Sequence, residues 1–240
     1  MSKRILLKMS GEYLRGSTPF GVDPKILKAL ADDILSAKDQ KLELGIVIGG
    51  GNFIRGQSLS DYGMDRITSD YMGMMGTIIN ALAIRDVFSR SGIPCVVQSA
   101  LPMAGMVEPF DRQRSIHLLR LGYVVVFAGG TGNPLVTTDS AASLRAIEIE
   151  ADILLKATSV DGIFDADPKR NSNAQLLSHI TFDEALKYEY AVMDLSAFCQ
   201  CRDHSLPIRV FNMRQTGQLK RILMGENLGS LVSHERINEE

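Results

Sequence analysis

Cysteine is scarce. The 240 residues hold only Cys95, Cys199 and Cys201. An odd count cannot pair within one chain, so the sequence predicts no disulfide scaffold and a reducing, cytoplasmic setting. Cys199-x-Cys201 has no second pair beside it and reads as two small apolar residues on a helix rather than a zinc site. An excess of one charge is also missing: 26 Lys and Arg stand against 28 Asp and Glu, a formal net charge of −2. With no long basic run, this excludes a binder of nucleic-acid backbones, while leaving room for a small phosphorylated ligand held by a few placed groups. Long apolar runs are absent. Ile5-Leu6-Leu7 is cut short by Lys8, too soon for a secretory core, and nothing approaches the roughly 20 apolar residues of a membrane span. No Pro/Gly/Ser-rich linker, low-complexity stretch or internal repeat divides the chain, so one domain is expected. Four motifs are missing as well: the G-x-x-x-x-G-K-[ST] phosphate loop, a G-x-G-x-x-G between the first strand and helix, and the H-R-D and D-F-G elements of protein kinases.

What remains is ordinary globular material, 45% hydrophobic and 22% charged, with a strong alternation of pattern. Short continuous apolar runs (4–9, 44–48, 95–97, 123–127, 153–155, 208–211) read as buried strands. Helical spacing follows most of them: after Asp23-Pro24, an N-cap with Pro in the first turn; over 69–90, with Tyr71, Met75, Ile78, Ile79 and Leu82 on one face; then over 111–121, 140–150, 182–188, 194–204 and 217–224. Strands of this kind alternating with helices predict an α/β protein with a mainly parallel sheet covered on both faces.

In such sheets ligands bind beyond the carboxyl ends of the strands. Three of those ends carry small-residue turns: Lys8-Met-Ser-Gly11, Gly49-Gly-Gly-Asn52 and Gly129-Gly-Thr-Gly-Asn-Pro134. Glycine lets backbone N–H groups approach a phosphate closely. One such turn often does no more than close a bend; three on one sheet edge point to phosphate binding. Lys8 lies inside an apolar strand, three residues before Gly11, so its ammonium needs an anion at the strand end or an exposed edge strand. Asp139 stands near a helix start, as a plain N-cap or as a group orienting a lysine or Mg²⁺. Asp70 falls in the first turn of the long helix, where capping is the plain alternative. Gly73 and Gly76 inside that helix suggest a close approach by another backbone. The acidic turn Asp161-Gly-Ile-Phe-Asp-Ala-Asp167 could hold a metal or could simply be a tight turn, and Phe164 could lie under a base or in the core.

Lys8-Met-Ser-Gly11, Val47-Ile-Gly-Gly-Gly-Asn-Phe-Ile-Arg55, Asp70, Thr131-Gly-Asn-Pro-Leu-Val-Thr-Thr-Asp139, Lys156-Ala-Thr-Ser-Val-Asp-Gly162, Asp167-Pro168 and Pro207-Ile-Arg-Val-Phe-Asn212 occur in this order over nearly the whole chain. Together they resemble the bacterial uridylate kinases, a branch of the amino acid kinase family. The resemblance implies a three-layer αβα sandwich in one domain, with an acceptor-binding lobe over about 1–152 and an ATP-binding lobe over about 153–240. It implies transfer of the ATP γ-phosphate to UMP, with Mg²⁺ bound with ATP. Lys8, Met9, Ser10, Gly11, Gly51 and Arg55 would contact ATP, and Thr158, Phe164 and Asp167 would line the adenine nucleotide pocket. Gly50, Asp70, Thr131, Gly132, Asn133, Pro134, Leu135, Val136, Thr137 and Thr138 would hold UMP, Asp70 at the ribose. The family is typically a homohexamer inhibited by UTP and activated by GTP, the latter through the segment Gly16, Ser17, Thr18, Pro19, Phe20 and Gly21.

The physics fits that implication. Phosphoryl transfer asks for positioning and neutralisation of spread negative charge, and an ionised phosphate acceptor needs no general base. Lys8 and Arg55 would supply charge, while Asp139, and secondarily Asp194, would orient Lys8 or the metal. A kinase of the same fold acting on a carboxylate, or a nucleotide sensor without turnover, are the alternatives.

Overall fold

The computed structural model describes residues 3–54, 63–168, 170–171, 173–190 and 193–235. The chain opens with β1 (Arg4–Met9), the short helix α1 (Gly11–Arg15) and α2 (Pro24–Ser36). β2 (Glu43–Ile48) and the long α3 (Arg66–Arg90) follow, then β3 (Cys95–Ser99), β4 (Glu108–Pro109), α4 (Arg112–Arg120) and β5 (Val124–Ala128). α5 (Thr138–Glu148) leads to β6 (Ile153–Thr158), β7 (Ile163–Phe164), β8 (Leu176–Leu177) and β9 (His179–Thr181). The chain ends with α6 (Phe182–Lys187), α7 (Leu195–Asp203), β10 (Ile208–Asn212), α8 (Gln218–Leu223) and β11 (Ser230–Ser233).

Nine strands form one sheet in the order β4-β3-β5-β2-β1-β6-β10-β11-β9, and β7 pairs with β8 separately. Every neighbouring pair in the large sheet is parallel except β10 with β11. The expected α/β class with a mainly parallel sheet is therefore what the chain adopts. Parallel strands need crossover helices, and those cover both faces, which is why the strands read as unbroken apolar runs.

The two-residue period of a strand divides β1 between the layers. Ile5, Leu7 and Met9 enter one core with Leu30 of α2, Ile84 and Phe88 of α3 and Leu219 of α8. Leu6 enters the other with Leu119 of α4, Ala142 and Ala146 of α5 and Phe198 of α7. Arg4 and Lys8 share the face of Leu6, one at each end of the strand. β6 repeats the arrangement, with Leu155 on the first face and Leu154 on the second.

Several helix starts differ from the sequence expectation. The long helix begins at Arg66 behind an Asp65 cap, one turn earlier than 69. Its predicted apolar face is rotated as well. Ile78 is buried, but Tyr71, Met75 and Ile79 are between 42% and 52% exposed, and the buried side is formed by Met74, Ile78, Ala81, Ile84 and Phe88. α5 begins at Thr138 behind a Thr137 cap, so Asp139 is not a cap. The short strands β4, β7, β8, β9 and β11 carried no periodicity long enough to read.

At the amino ends of the strands, far from the glycine turns, Arg4 is held by Glu43 of β2 (Nη2–Oε2 2.6 Å) and by the carbonyl of Ile149 (2.5 Å). Both charged side chains are nearly buried. Removing one member of such a pair strands the other. Arg4→Ala should lower unfolding stability by about 3 kcal/mol, read from the urea midpoint.

Candidate functional site

β1 and β6 are adjacent and parallel, with Leu7 opposite Leu155 and Lys8 opposite Lys156. Both lysines follow an Ile-Leu-Leu run and both leave the sheet on the face covered by α5. Their ammonium groups meet the same carboxylate. Lys8 Nζ lies 2.5 Å from Asp139 Oδ1, and Lys156 Nζ donates to Asp139 Oδ2. Lys8 and Lys156 are 8% and 6% exposed. This is the first of the two readings of Lys8, an internal cation with an anion at the strand end, and Asp139 is the lysine-orienting group rather than a cap.

Electrostatics follows from this burial. Desolvation pushes the Lys156 ammonium down to about 8; the neighbouring positive charge of Lys8 pushes the same way and Asp139 opposes both. Burial alone would raise Asp139, but the two ammoniums outweigh it and hold the carboxyl below the usual range. With two cations against one anion, the strand tips carry a surplus positive charge suited to an anionic ligand.

Asp194 serves differently. It caps α7, accepting from Ala197 N at 2.8 Å, and also accepts from Ser196 Oγ at 2.6 Å, Ser140 Oγ at 3.0 Å and the Thr137 hydroxyl. Burial opposes its charge, but these donors hold its pKa below the ordinary value. Thr137 in turn caps α5 through Asp139 N (3.1 Å) and Ser140 N (3.2 Å). Asp194 thus fixes the end of the helix that carries Asp139, and it reaches Lys156 only through its field.

Two cavities open on this edge. One, of about 240 Å³, is lined by Lys8, Ser10, Lys156, Thr158, Tyr13 and Arg214 among others. The second, of about 140 Å³, is lined by Gly50, Asp70, Gly73, Thr77, Gly130, Val136 and Thr138 among others. Thr138 on the second and Asp139, which grips the lysines of the first, are consecutive on α5. The sequence-predicted residues Lys8, Ser10 and Thr158 therefore share one cavity, and Gly50, Asp70, Val136 and Thr138 the other.

Several expected residues do not line either cavity. Met9 is buried in the core beneath the tip. Gly11 opens α1 and Gly51 lies in the turn after β2, and a Cβ on Gly11 would run into the carbonyl of Gly49. Thr131, Gly132, Asn133 and Pro134 form the loop beyond β5, with Leu135 exposed at a left-handed φ of 66°. Phe164 lies in the β7–β8 pair opposite Leu176. Asp167 lies 3.5 Å from Arg170. Arg55 lies outside the described residues.

Asp70 occupies the fifth position of α3 and does not cap it. Its Oδ2 accepts from the backbone N–H of Leu135 (2.8 Å) and its Oδ1 from Arg66 Nε (3.0 Å). It therefore braces the 131–138 loop. The two helix glycines fulfil the expected close approach: a Cβ on Gly76 would lie 3.2 Å from the Gly50 carbonyl oxygen, and one on Gly50 would collide with the Gly73 carbonyl. The acidic turn gives no metal site. Asp161 accepts from Asn212 Nδ2 (2.8 Å) and Gln215 Nε2 (2.7 Å), Asp165 accepts from Gln175 N (2.8 Å), and among the described residues no group of three acidic, His or Cys side chains could hold an ion. Cys199 and Cys201 sit on α7, half-buried and buried. The 16–21 segment is an exposed loop at Phe20, yet Gly21 exchanges hydrogen bonds with Asn52 (Gly21 N to Asn52 O 3.1 Å; Asn52 Nδ2 to Gly21 O 2.8 Å).

Lys156 is the main residue that sequence reasoning did not single out. The signal was present: Ile5-Leu-Leu-Lys8 and Ile153-Leu-Leu-Lys156 are spelled alike, but only sheet order makes them neighbours. Thr77 was likewise missed, because a threonine inside a helix carries no sign of what it faces.

The sequence profile of the amino acid kinase family matches residues 3–212. A uridylate kinase of Coxiella burnetii is 54% identical over 230 residues, covering 96% of this chain and 95% of its own. One from Stutzerimonas stutzeri is 52% identical, covering 99% of this chain and 95% of its own. The crystal structure of a UMP kinase from Bacillus anthracis superimposes with a TM-score of 0.93 at 39% identity, covering 98% of this chain and 97% of that one.

Lys156 provides a direct test of the electrostatics. Below about pH 8 its ammonium is charged; as pH rises through that value the surplus positive charge is lost. Affinity for inorganic triphosphate should therefore fall above pH 8, by up to about tenfold per pH unit, in isothermal titration of the ligand-free chain. Lys156→Arg should remove that dependence.

Proposed function

The chain belongs to the amino acid kinase family, and from that premise we propose that it transfers the γ-phosphoryl group of ATP to UMP, giving ADP and UDP. The observation that carries this reading is the Lys8–Asp139–Lys156 bridge, whose lysines line one cavity and whose Asp139 follows Thr138 on the wall of the other. Curated relatives about half identical over nearly their full length support UMP as the acceptor.

The reaction asks little covalent chemistry of the protein. An ionised oxygen of the UMP phosphate attacks the γ-phosphorus, the bond to the β,γ-bridging oxygen breaks, and ADP leaves with the electron pair. The difficulty is electrostatic: two polyanions must be brought into line. The lysine-lined cavity would take the ATP phosphates, with Ser10, Gly11 and Gly51 near them and Thr158 at the far wall. The Asp70 cavity would take UMP, with Gly50 and Gly130 approaching closely and Thr138 at the junction. Asp139 holds both ammoniums in place before substrate arrives, so no reorganisation is needed when charge spreads over the transferring group.

Asp139 is engaged by the two lysines, and Mg²⁺ would come with ATP, as the likeness to uridylate kinases suggests. The acceptor lobe is taken as about 1–152 and the ATP lobe as about 153–240, with Lys8 and Ser10 of the first reaching into the cavity that the second lines with Lys156 and Thr158. An apolar stripe on the outer side of α3, where Ile67, Tyr71, Met75 and Ile79 are exposed four residues apart, supports a contact between subunits, and the homohexamer is the assembly that the likeness to uridylate kinases implies. UTP and GTP act as effectors, and the tie between Gly21 and Asn52 would connect the 16–21 loop to the phosphate turn. Free cysteines agree with a cytoplasmic location, and among the described residues no helix is long and apolar enough to cross a membrane.

A coupled ADP assay across UMP, CMP, dUMP, glutamate and aspartate decides the substrate: turnover with UMP is expected, and turnover with a carboxylate alone would sink the reading. Lys8→Ala should lower kcat at saturating ATP and UMP by about 10²–10³-fold. Asp70→Asn should raise the KM for UMP well above its effect on the KM for ATP, because Asp70 braces the 131–138 loop on the acceptor side.

A further inference from the structure

α3 buries three polar side chains, Ser69 (0%), Thr77 (2%) and Asn80 (0%); Ser69 bonds back to the Asp65 carbonyl at the helix start, whereas Thr77 and Asn80 reach beyond the helix. Polar groups buried in the middle of a helix destabilise the fold unless they are matched. Thr77 Oγ1 donates to the carbonyl of Met74 (2.6 Å) and accepts from the backbone N–H of Gly129 (2.7 Å). The Asn80 amide donates to the carbonyl of Gly49 (2.7 Å) and to Asn52 Oδ1 (2.8 Å), and its oxygen accepts from Asn52 Nδ2 (2.8 Å). Two residues three apart on one helix thus grip two different glycine turns: Asn80 the turn after β2, Thr77 the turn after β5. Valine and leucine would occupy those places with no partners to satisfy. The polar choice has a consequence that apolar packing lacks, because a hydrogen bond fixes the distance and direction of the backbone it holds.

We propose that Thr77 and Asn80 are positioning residues for the transfer. They set the two phosphate-handling turns against one rigid helix and so fix the spacing between donor and acceptor. The inference rests on the reaction proposed above, since it assigns the Gly129–Gly130 turn to the acceptor and the Gly49–Gly51 turn to both substrates. Thr77 acts through the turn: its proton goes to Met74 and it accepts from Gly129, so its contribution to UMP passes through the backbone of the β5 turn. A displacement of about 1 Å in either turn is enough to take bound groups out of reacting geometry.

Three full-length variants test this: Thr77→Val, Thr77→Ser and Asn80→Leu, each measured for kcat, for both KM values and for the thermal midpoint. Thr77→Val should raise the acceptor KM about tenfold, the effect of one lost buried hydrogen bond, while the KM for ATP stays within about twofold. Thr77→Ser, which keeps the hydroxyl, should restore the acceptor KM. Asn80→Leu should lower kcat and raise both KM values; if that variant does not fold, the Thr77 pair decides alone. A drop in thermal midpoint with unchanged kinetic constants in Thr77→Val would reduce Thr77 to a structural group and overturn the proposal, as would equal KM shifts in the valine and serine variants. A wild-type chain that ignores UMP overturns the substrate instead, and the Thr77 comparison is then made on the acceptor that the panel reveals.

Discussion

A single carboxylate shared by two buried ammonium groups is the interaction on which the site depends. Lys156, nearly water-free at the end of an apolar strand, is pushed toward its neutral form by burial, and Lys8 is buried beside it. Asp139 makes both tolerable, and it leaves one positive charge uncancelled at the place where phosphates converge. Burial has a second effect. Inside the fold the field of those charges is weakly screened, so a few groups do work that on the surface would take a basic patch. A chain with a net charge of −2 can therefore handle two polyanions without being basic.

Everything around the bridge holds it in register. β1 and β6 lie side by side with Lys8 opposite Lys156, so two strands from distant parts of the chain present their lysines at one height. α5 brings Asp139 over them, with its first turn anchored through Thr137 and Ser140 to Asp194 at the start of α7. On the other face of the sheet, α3 takes the glycine turns. Glycine is needed where Gly50 lies against Gly73 and Gly76, because helix backbone and turn backbone come too close for a side chain between them. The result is a ligand edge held by helices on both sides, with the loop that follows β5 braced by Asp70 through the Leu135 N–H.

The same chain shows how far sequence patterns reach. β1, β2, β5, β6 and β10 were legible because buried parallel strands are short, apolar and uninterrupted. α2 was legible from Asp23-Pro24 and a clean amphipathic period. The face of α3 was not. Tyr71, Met75 and Ile79 are apolar but exposed, while the polar Thr77 and Asn80 are buried; hydrophobic spacing misplaces a helix whose inner side holds backbone turns and whose outer side is apolar. β9 and β11 escaped because strands of three or four residues carry too little periodicity, and β11 pairs antiparallel to β10 in a sheet that is otherwise parallel.

The sequence by itself determined the class of the fold, the strand ends that carry the glycine turns, and Lys8 as a charge inside an apolar strand. Those properties are local: apolar runs, turn residues and a charge in the wrong company are visible in a window of ten residues. Only the tertiary structure decided that Lys156 shares Asp139 with Lys8, that Asp70 reaches Leu135 rather than capping its helix, and that Asn52 and Asn80 close on each other between β2 and α3. Each of these joins residues 28 to 148 positions apart. Their meeting is set by strand order and by which face of the sheet a side chain leaves, and neither is written in any one segment.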